Sequence, residues 1–346
     1  SSCTFHSDFN LVRTATAQGW RASAAMRAVA LAACLVGSAS GLSVASSSSS
    51  SSSAAGRRGA RDGPGDEAFA ALEELGVEAK PKSYSVRKVR TIPHEGRPWT
   101  QGLEFADDGR LVETSGDYPF GTGSFVRVVD KDTGATVQKI TDGLARPMFI
   151  EGIAELGGRW FASTYEDHVA LEYDENFNFV KSHSFPYEGW GLTHGPGRKS
   201  FLATNSSEFI LSLDPENFTL VSALPATCLG HTVPGLNELE FVDDFLGQGP
   251  ALLGNVIETR VVLVLDPKTA KCTGAFHLQD LETVTQDELR GSHVANGIAF
   301  SKQTGTLWVT GKNWENMFEI AIEGPGLGDF SQEDAISMLA RHLESL

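Results

Sequence analysis

The sequence is short of basic residues, and this deficit limits its partners. It contains 28 Lys and Arg against 44 Asp and Glu, which gives the 346 residues a formal net charge of -16 at pH 7. A surface of that sign repels the phosphates of nucleic acids and the anionic head groups of lipids. Nucleic acid is therefore not expected as a partner, whereas a substrate with a positively charged group would be attracted.

Long hydrophobic runs are also missing. The run at residues 28–36 follows Met26-Arg27 and precedes small residues. This layout predicts a signal peptide at residues 26–45, with residues 1–25 as upstream translated sequence or leader, and a secretory or extracellular protein. An organelle transit peptide, for the plastid, is the alternative, because the region is rich in Ser and Ala and contains Arg. The run is shorter than the roughly 20 residues of a spanning helix, so no stable membrane insertion is expected.

Cysteine is scarce. Two of the four cysteines lie within the first 34 residues, which leaves Cys228 and Cys272. Their spacing matches no metal-binding motif, so no metal site is expected. The pair is compatible with a disulfide bond in a secreted chain and equally with two free thiols. Glycosylation sequons at Asn205 and Asn217 fit the secretory interpretation.

Composition changes mark the segments that flank the fold. Residues 46–65 hold an unbroken serine tract and several glycines, which predicts a disordered linker. Residues 66–80 are predicted to contain a short helix, because apolar residues recur there at helical spacing. A second helix is predicted within residues 326–346, capped by Ser331 and with one apolar face: Ile336, Leu339 and Leu343.

A short pattern recurs five times in the remaining chain. A polar or aromatic residue precedes a glycine, or once Glu238, and a branched apolar residue follows. The five copies are Gln101-Gly102-Leu103, Glu151-Gly152-Ile153, Trp190-Gly191-Leu192, Asn237-Glu238-Leu239 and Asn296-Gly297-Ile298. Their central residues are 50, 39, 47 and 59 positions apart, close to the roughly 40 to 50 of propeller blades or solenoid units. Each copy leads into further strand signals, so we predict an all-β fold, a five-bladed β-propeller over residues 83–325.

The last predicted blade is one strand short. Only two strand signals, at residues 306–310 and 317–322, follow its first strand. Residues 84–89 read as a strand that precedes the first blade and belongs to none. We therefore predict that this N-terminal strand closes the ring, which would remove two free sheet edges.

The first strand of each propeller blade lines the central channel, so the residues that introduce these strands should surround one mouth. They are Gln101, Glu151, Trp190, Asn237 and Asn296. Glu151 is the one acid among them, and burial would raise its pKa toward the range useful for proton transfer. The alternative is that these polar groups only link neighbouring blades and seal the channel.

The second strands are predicted to end at the same rim. Lys312 would then face Glu151 across the mouth, and the alternative for Lys312 is a surface pair with Glu315. Phe149 shares a strand face with Glu151 and would wall a pocket, unless it is a core residue. The other residues placed at these strand ends are Glu113, Tyr165 and Ile257.

Six motifs, in this order, resemble those of the plant-type glutaminyl-peptide cyclotransferases, or glutamine cyclotransferases: WTQGLEF, FIEGIAEL, GWGLT, LNELEF, NGIAF and TGKNW. The resemblance implies a monomeric five-bladed propeller that converts the amino-terminal glutamine of peptides or proteins into pyroglutamate, releases ammonia and needs no cofactor. It implies that Glu151 shuttles the proton and that Lys312 lies beside it. With the ring of channel residues, it predicts the following substrate-binding set: Trp99, Gln101, Phe149, Tyr165, Trp190, Asn237 and Asn296.

The chain departs from this family in its aromatic residues. The family usually has Phe where Trp99 stands, and Trp at the positions of Tyr165 and Ile257. Residues 245–253 also look like an insertion before Ile257. We expect a roomier pocket and a changed substrate range.

Two other functions remain open. A glutamate with several asparagines around a propeller mouth could bind Ca²⁺ through oxygen ligands and support lactone or ester hydrolysis, although lactonase-type propellers typically have six blades. A non-catalytic scaffold for protein partners is the third hypothesis. It leaves the TGKNW motif and Glu151 without a role.

Overall fold

The computed structural model describes residues 80–119, 121–282, 293–324 and 334–345, and within them the chain forms the predicted five-bladed β-propeller. β1 (Lys82–Ser83) and β2 (Ser85–Pro93) come first in the chain and join the last two blades. From the channel outwards, blade 1 consists of β3 (Thr100–Phe105), β4 (Leu111–Ser115), β5 (Phe125–Val129) and β6 (Thr136–Ile140). Blade 2 consists of β7 (Ile150–Leu156), β8 (Arg159–Thr164), β9 (Val169–Tyr173) and β10 (Phe179–Ser184).

The later blades follow the same plan. Blade 3 consists of β11 (Leu192–His194), β12 (Phe201–Ala203), β13 (Phe209–Leu213) and β14 (Leu220–Pro225), with a 3₁₀ turn at Pro196–Arg198. A hairpin of β15 (Thr227–Cys228) and β16 (His231–Thr232) leads to blade 4, which has β17 (Leu236–Val242), β18 (Ala251–Val256), β19 (Val261–Leu265) and β20 (Cys272–His277). Blade 5 has β21 (Ala295–Ser301), β22 (Thr306–Gly311) and β23 (Asn316–Glu323), and β2 is its outermost strand.

The innermost strands form a closed ring in the order β3, β7, β11, β17, β21, because each contacts the next and β21 returns to β3. Each blade is an antiparallel meander, so its innermost strand begins at the end of the channel where the second strand finishes. We call this end the upper mouth and the opposite end the lower mouth. The five repeated motifs therefore introduce their strands at the upper mouth.

Three of the repeated glycines, Gly102, Gly152 and Gly191, lie where neighbouring inner strands approach closely. A Cβ on Gly152 would lie 2.3 Å from the backbone nitrogen of Leu192, and one on Gly191 would lie 2.2 Å from the carbonyl oxygen of Asn237. A side chain cannot fit there without moving backbone. This contact between blades explains the glycine in blades 1 to 3, whereas Gly297 in blade 5 has a φ of 106°, a conformation that favours glycine.

Glu238 takes the glycine position in blade 4 and reaches across the channel. Its carboxylate accepts a hydrogen bond from the backbone N–H of Leu103 on β3 at 3.3 Å and from that of Ile298 on β21 at 2.8 Å. It therefore links three of the five inner strands at the level of the repeated glycines.

The N-terminal strand closes the ring, as predicted. β2 pairs antiparallel with β23, with Ser85 opposite Glu323 and Pro93 opposite Asn316. β1 adds a contact that the sequence did not indicate, since it pairs parallel with β20 and extends blade 4 to five strands. Both ends of the propeller chain are thus held in sheets.

Glu113 does not lie at the rim, contrary to the sequence-based placement. It is buried within β4, where its carboxylate accepts hydrogen bonds from Thr100 Oγ1 at 2.6 Å and Arg127 Nε at 2.7 Å and lies 2.9 Å from His94 Nε2. Burial alone would raise the pKa of Glu113, but Arg127 and His94 outweigh it and lower the pKa to about 2. This network ties blade 1 to the segment that follows the closing strand β2.

Cys228 on β15 and Cys272 on β20 form a disulfide bond, with their Cα atoms 5.0 Å apart. The sequence left this pairing open. The bond attaches the hairpin between blades 3 and 4 to the outer part of blade 4.

The C-terminal helix α1 (Ala335–Glu344) packs on blade 4 through its apolar face, with Ile336 and Leu339 buried. Asp334 caps it, because its side chain accepts a hydrogen bond from the backbone N–H of Ser337 at 2.8 Å. The predicted cap, Ser331, lies outside the described residues. Asp334 directly precedes the first helical residue, so it is the cap of this helix, whereas the sequence predicted Ser331.

The predicted leader, linker and N-terminal helix also lie outside the described residues, except for Lys80. They stay predictions. Among the residues that the structure describes, no helix is long and apolar enough to cross a membrane.

Candidate active site

The upper mouth brings the five predicted channel residues together on neighbouring inner strands. Asn296 Nδ2 lies 3.2 Å from Gln101 Oε1, and Gln101 Nε2 donates to Glu151 Oε1 at 3.0 Å. The carbonyl oxygen of Trp190 accepts a hydrogen bond from the backbone N–H of Gly152 at 2.7 Å. Gln101, Glu151, Asn237 and Asn296 are buried, so polar groups form the floor of this mouth.

Glu151 is the acid at the centre of the floor, only 4% exposed. Burial raises its pKa to about 8, with Lys312 acting in the opposite direction and Glu188 adding to the rise. A carboxyl group with a pKa in this range can both accept and return a proton near neutral pH. The physical setting therefore suits a proton shuttle.

Lys312 follows β22 and is buried beside the floor. Burial lowers its pKa, while the charge of Glu151 raises it. Its Nζ lies 5.4 Å from the centre of the Trp99 ring, a cation–π distance. The alternative of a surface pair with Glu315 is wrong, because Glu315 forms its ion pair with Arg97.

Two pairs of aromatic rings wall the site. Trp99 stacks on Tyr118 with ring centres 3.9 Å apart, and Phe149 lies 6.1 Å from Tyr165. The ring of Phe149 packs against Gly116, where a Cβ would lie 2.2 Å from it. Trp99, Phe149, Tyr165 and Trp190 are each only partly buried.

Ile257 follows β18 directly, as Tyr165 follows β8 and Lys312 follows β22. The expected insertion at residues 245–253 stays a prediction. The structure places its last three residues in β18, which begins at Ala251 and is buried, and the turn before β18 at the lower mouth. Ile257 therefore occupies the rim position that Tyr165 takes in blade 2 and Lys312 takes in blade 5.

Sequence reasoning missed two residues at this mouth. Tyr118 lies on the loop after β4, and no local pattern indicates that this loop folds back over Trp99. Glu188 lies two residues before Trp190, and its carboxylate accepts a hydrogen bond from the Trp190 indole at 3.1 Å. Its position within EGWGLT, next to a predicted wall residue, was a usable signal.

The floor also holds acceptor atoms without partners. In the described part of the chain, Asn237 Oδ1 and Asn296 Oδ1 are buried and accept no hydrogen bond. Buried polar atoms are normally paired, so such atoms in a site are available to substrate donors. Among the described residues, no group of three His, Cys, Asp or Glu side chains could hold a metal ion.

Glu151 is not the only acid of the channel. Glu104, Glu238 and Glu240 are also buried along it, and burial raises the pKa of each well above its usual range. Glu104 and Glu240 line a separate cavity of about 340 Å³ at the lower mouth, together with Arg198. Side chains alternate between the two faces of a strand, and these acids lie on the channel face. The same alternation can be read in the sequence, although the prediction of channel residues rests only on the repeated glycines.

The chain is similar to known proteins in sequence and in fold. The family model for glutamine cyclotransferases matches residues 66–322. A glutaminyl-peptide cyclotransferase from Arabidopsis thaliana is 29% identical over 242 residues, which cover 69% of this chain and 71% of the relative. The crystal structure of Myxococcus xanthus glutaminyl cyclase superposes with a TM-score of 0.61 at 23% identity, over 71% of this chain and 99% of that one, which supports the fold. Because the family model spans most of the chain, the protein belongs to the glutamine cyclotransferase family, a family of acyltransferase enzymes.

Proposed function

We propose that this protein is a glutaminyl-peptide cyclotransferase, which converts an amino-terminal glutamine into pyroglutamate and releases ammonia. The observation that carries the proposal is a buried glutamate, whose pKa burial raises to about 8, near a buried lysine at a mouth that also holds partly exposed aromatic side chains. Family membership supports the same activity.

The reaction starts with a proton transfer within the pocket. The substrate's α-ammonium has an ordinary pKa of about 8, close to that of Glu151. The proton therefore moves between groups of similar affinity, at little cost in free energy. The freed amine then attacks the side-chain amide carbon of the same residue, and a C–N bond forms.

The tetrahedral intermediate carries a negative oxygen and a leaving amino group. Glu151 returns the proton to that nitrogen, the C–N bond breaks, and ammonia leaves with pyroglutamate as the new amino terminus. Lys312, or an amide N–H of the floor, stabilises the negative oxygen. The attacking nitrogen then loses its second proton, which the released ammonia accepts to become ammonium, so that Glu151 ends in the ionised state in which it began.

The rest of the pocket orients the substrate. Both reacting groups belong to one residue, and well-oriented intramolecular reactions reach effective molarities on the order of 10⁵ M or more. Trp190 and Phe149 hold the glutamine side chain in its folded conformation. The unpaired Asn237 Oδ1 is placed to accept a hydrogen bond from the substrate's amino or amide group.

The decisive experiment measures ammonia release from an amino-terminal glutamine peptide by purified protein, with the same peptide carrying asparagine as the control. Activity on glutamine that survives a chelator supports the proposal. Loss of activity on adding the chelator would favour the calcium-dependent hydrolase. Inactivity on the peptide, with a folded protein, would favour a scaffold.

We also propose that the protein enters the secretory pathway. The Cys228–Cys272 disulfide is typical of oxidising compartments. Of the two sequons, Asn217 lies exposed in the turn after β13, whereas Asn205 is buried. Expression in a secreting eukaryotic host should give a glycosidase-sensitive mass difference that Asn217→Gln abolishes, and targeting to plastids would contradict the proposal.

A further inference from the structure

Glu188 makes several contacts at the wall between blades 2 and 3. One carboxylate oxygen accepts a hydrogen bond from the indole nitrogen of Trp190 at 3.1 Å, and the other accepts one from Ser206 Oγ at 2.7 Å. The phenol of Tyr165 also interacts with this carboxylate. One side chain thus contacts two of the predicted wall residues.

We propose that Glu188 is a positioning residue of this site, which fixes the Trp190 indole and the Tyr165 phenol in the pocket wall and holds a negative charge beside Glu151. The inference rests on the proposed cyclotransferase activity. It adds a second carboxylate to a site in which the resemblance assigns only Glu151.

The backbone of this segment is fixed independently of Glu188. The Trp190 N–H donates to the carbonyl of Thr204 at 3.1 Å, and the Gly189 N–H donates to the carbonyls of Thr164 and Tyr165 at 3.1 and 3.0 Å. The indole N–H is the one polar atom of the Trp190 side chain and can only donate. Its acceptor is Glu188, so this carboxylate determines where the ring lies on a fixed backbone.

The Tyr165 contact depends on a residue particular to this chain. The resemblance places Trp at this position, and a Trp side chain has no hydroxyl group. A tyrosine offers its hydroxyl to Glu188 and so couples the blade 2 wall to the blade 3 wall. The Tyr165 ring is smaller than a Trp ring, and its hydrogen bond with Glu188 holds it in place where a Trp would be held by packing.

The charge of Glu188 acts on Glu151 as well. The charged groups that face Glu151 are Lys312, which favours its ionised form, and Glu188, which opposes it. Burial raises the pKa of Glu188 itself and Glu166 adds to the rise, while hydrogen bonds with Ser206, Trp190 and Tyr165 act in the opposite direction. A neutral side chain at position 188 would therefore let Glu151 ionise at lower pH.

Three variants distinguish the effect of the Glu188 charge from the effect of its hydrogen bonds and from a general effect on folding. Glu188→Gln keeps an oxygen acceptor but removes the charge, and Glu188→Ala removes both. Glu216→Gln is the control, since Glu216 lies on the same blade in the turn after β13, at the lower end, with its side chain 77% exposed. The readouts are kcat/KM against pH and the separate values of kcat and KM for a glutamine peptide.

For Glu188→Gln we expect the acid limb of the pH profile to move down by about half a pH unit, the order set by a like charge several ångströms away at an effective dielectric constant between about 20 and 80. For Glu188→Ala we expect KM to rise roughly 3- to 10-fold, as one aromatic contact is loosened. Glu216→Gln should match the parent in both.

An inactive parent would overturn the proposed function itself. An active parent with an unmoved pH profile in Glu188→Gln and an unchanged KM in Glu188→Ala would overturn the role of Glu188 alone. If Glu188→Ala does not fold, the near-isosteric Glu188→Gln variant still decides, because a purely structural carboxylate would leave the pH profile in place.

Discussion

Replacing Glu151 by Gln tests the centre of the site through stability as well as activity. The change keeps the size of the side chain and its hydrogen bond from Gln101, and it removes only the ability to ionise. Burial raises the pKa of Glu151 from 4.5 to about 8 in the folded protein. The folded state therefore favours the neutral acid.

The direction in which stability changes with pH follows from the difference between the folded and unfolded pKa of Glu151. A group whose pKa is higher in the folded state contributes stability that is fully present below its unfolded pKa and is lost as the pH rises through the folded pKa. For Glu151 this window runs from 4.5 to about 8. At 1.36 kcal/mol per pH unit, the loss reaches about 5 kcal/mol above pH 8, and a few kcal/mol are already lost at pH 7.

The assay is denaturant unfolding of the parent and of Glu151→Gln at pH 5, 7 and 9. Both should have similar free energies of unfolding at pH 5, and the variant should become the more stable protein as the pH rises. A difference that is constant with pH would show that Glu151 is ionised in the folded protein at all these values. That result would refute the reasoning about burial.

The catalytic activity of Glu151→Gln should fall although its stability above pH 5 is greater than that of the parent. Because Gln cannot shuttle a proton, kcat should fall by roughly 10² to 10⁴ while the fold becomes no weaker. Cyclisation of a glutamine peptide at the parent's rate by the purified variant would remove Glu151 from the mechanism.

Three further predictions concern closure, the pocket and acid stability. A chain that begins at residue 94 lacks β2 and should melt well below one that begins at residue 80; equal melting temperatures would contradict the closure argument. Ile257→Trp should lower KM or leave it unchanged, since an aromatic contact is worth about 0.5 to 1.5 kcal/mol beyond area, and a large increase in KM would show that position 257 does not face the substrate. Arg127→Met leaves Glu113 buried without its main partner and should cost about 3 to 5 kcal/mol at pH 7. In the parent, the stability that ionised Glu113 contributes is present above pH 4.5 and is lost as the pH falls toward about 2. A variant that unfolds in acid at the same pH as the parent would argue against the network.

The sequence was sufficient for the blade plan because the repeat has a steric cause. Gly102, Gly152 and Gly191 lie against the backbone of the next inner strand, so blades 1 to 3 need a glycine at this place, and Gly297 has a positive φ that favours glycine. The one exception, Glu238, was visible as an exception, but its role across the channel depends on strands that lie far apart in the sequence.

The site was predictable where its residues sit on those strands and obscure where they sit on loops. Glu151, Gln101 and Asn296 follow from the repeat, and the structure joins them by hydrogen bonds. Tyr118 could not be found, because loop conformation decides that its ring stacks on Trp99. Glu113 was placed wrongly, since a strand-end position gives no sign of whether Arg127 will meet it in the interior.

The pairing of β2 with β23 has a consequence for synthesis of the chain. The two strands that close blade 5 are separated by more than two hundred residues, with Ser85 opposite Glu323. A ribosome makes β2 before the five inner strands and β23 after them, so β2 lacks its partner until all the inner strands have been made. Contacts of such long range slow folding and leave strand edges open to wrong pairing in the meantime. The ring can therefore close only after β23 has been made, and until then any blades that have formed belong to an open arc.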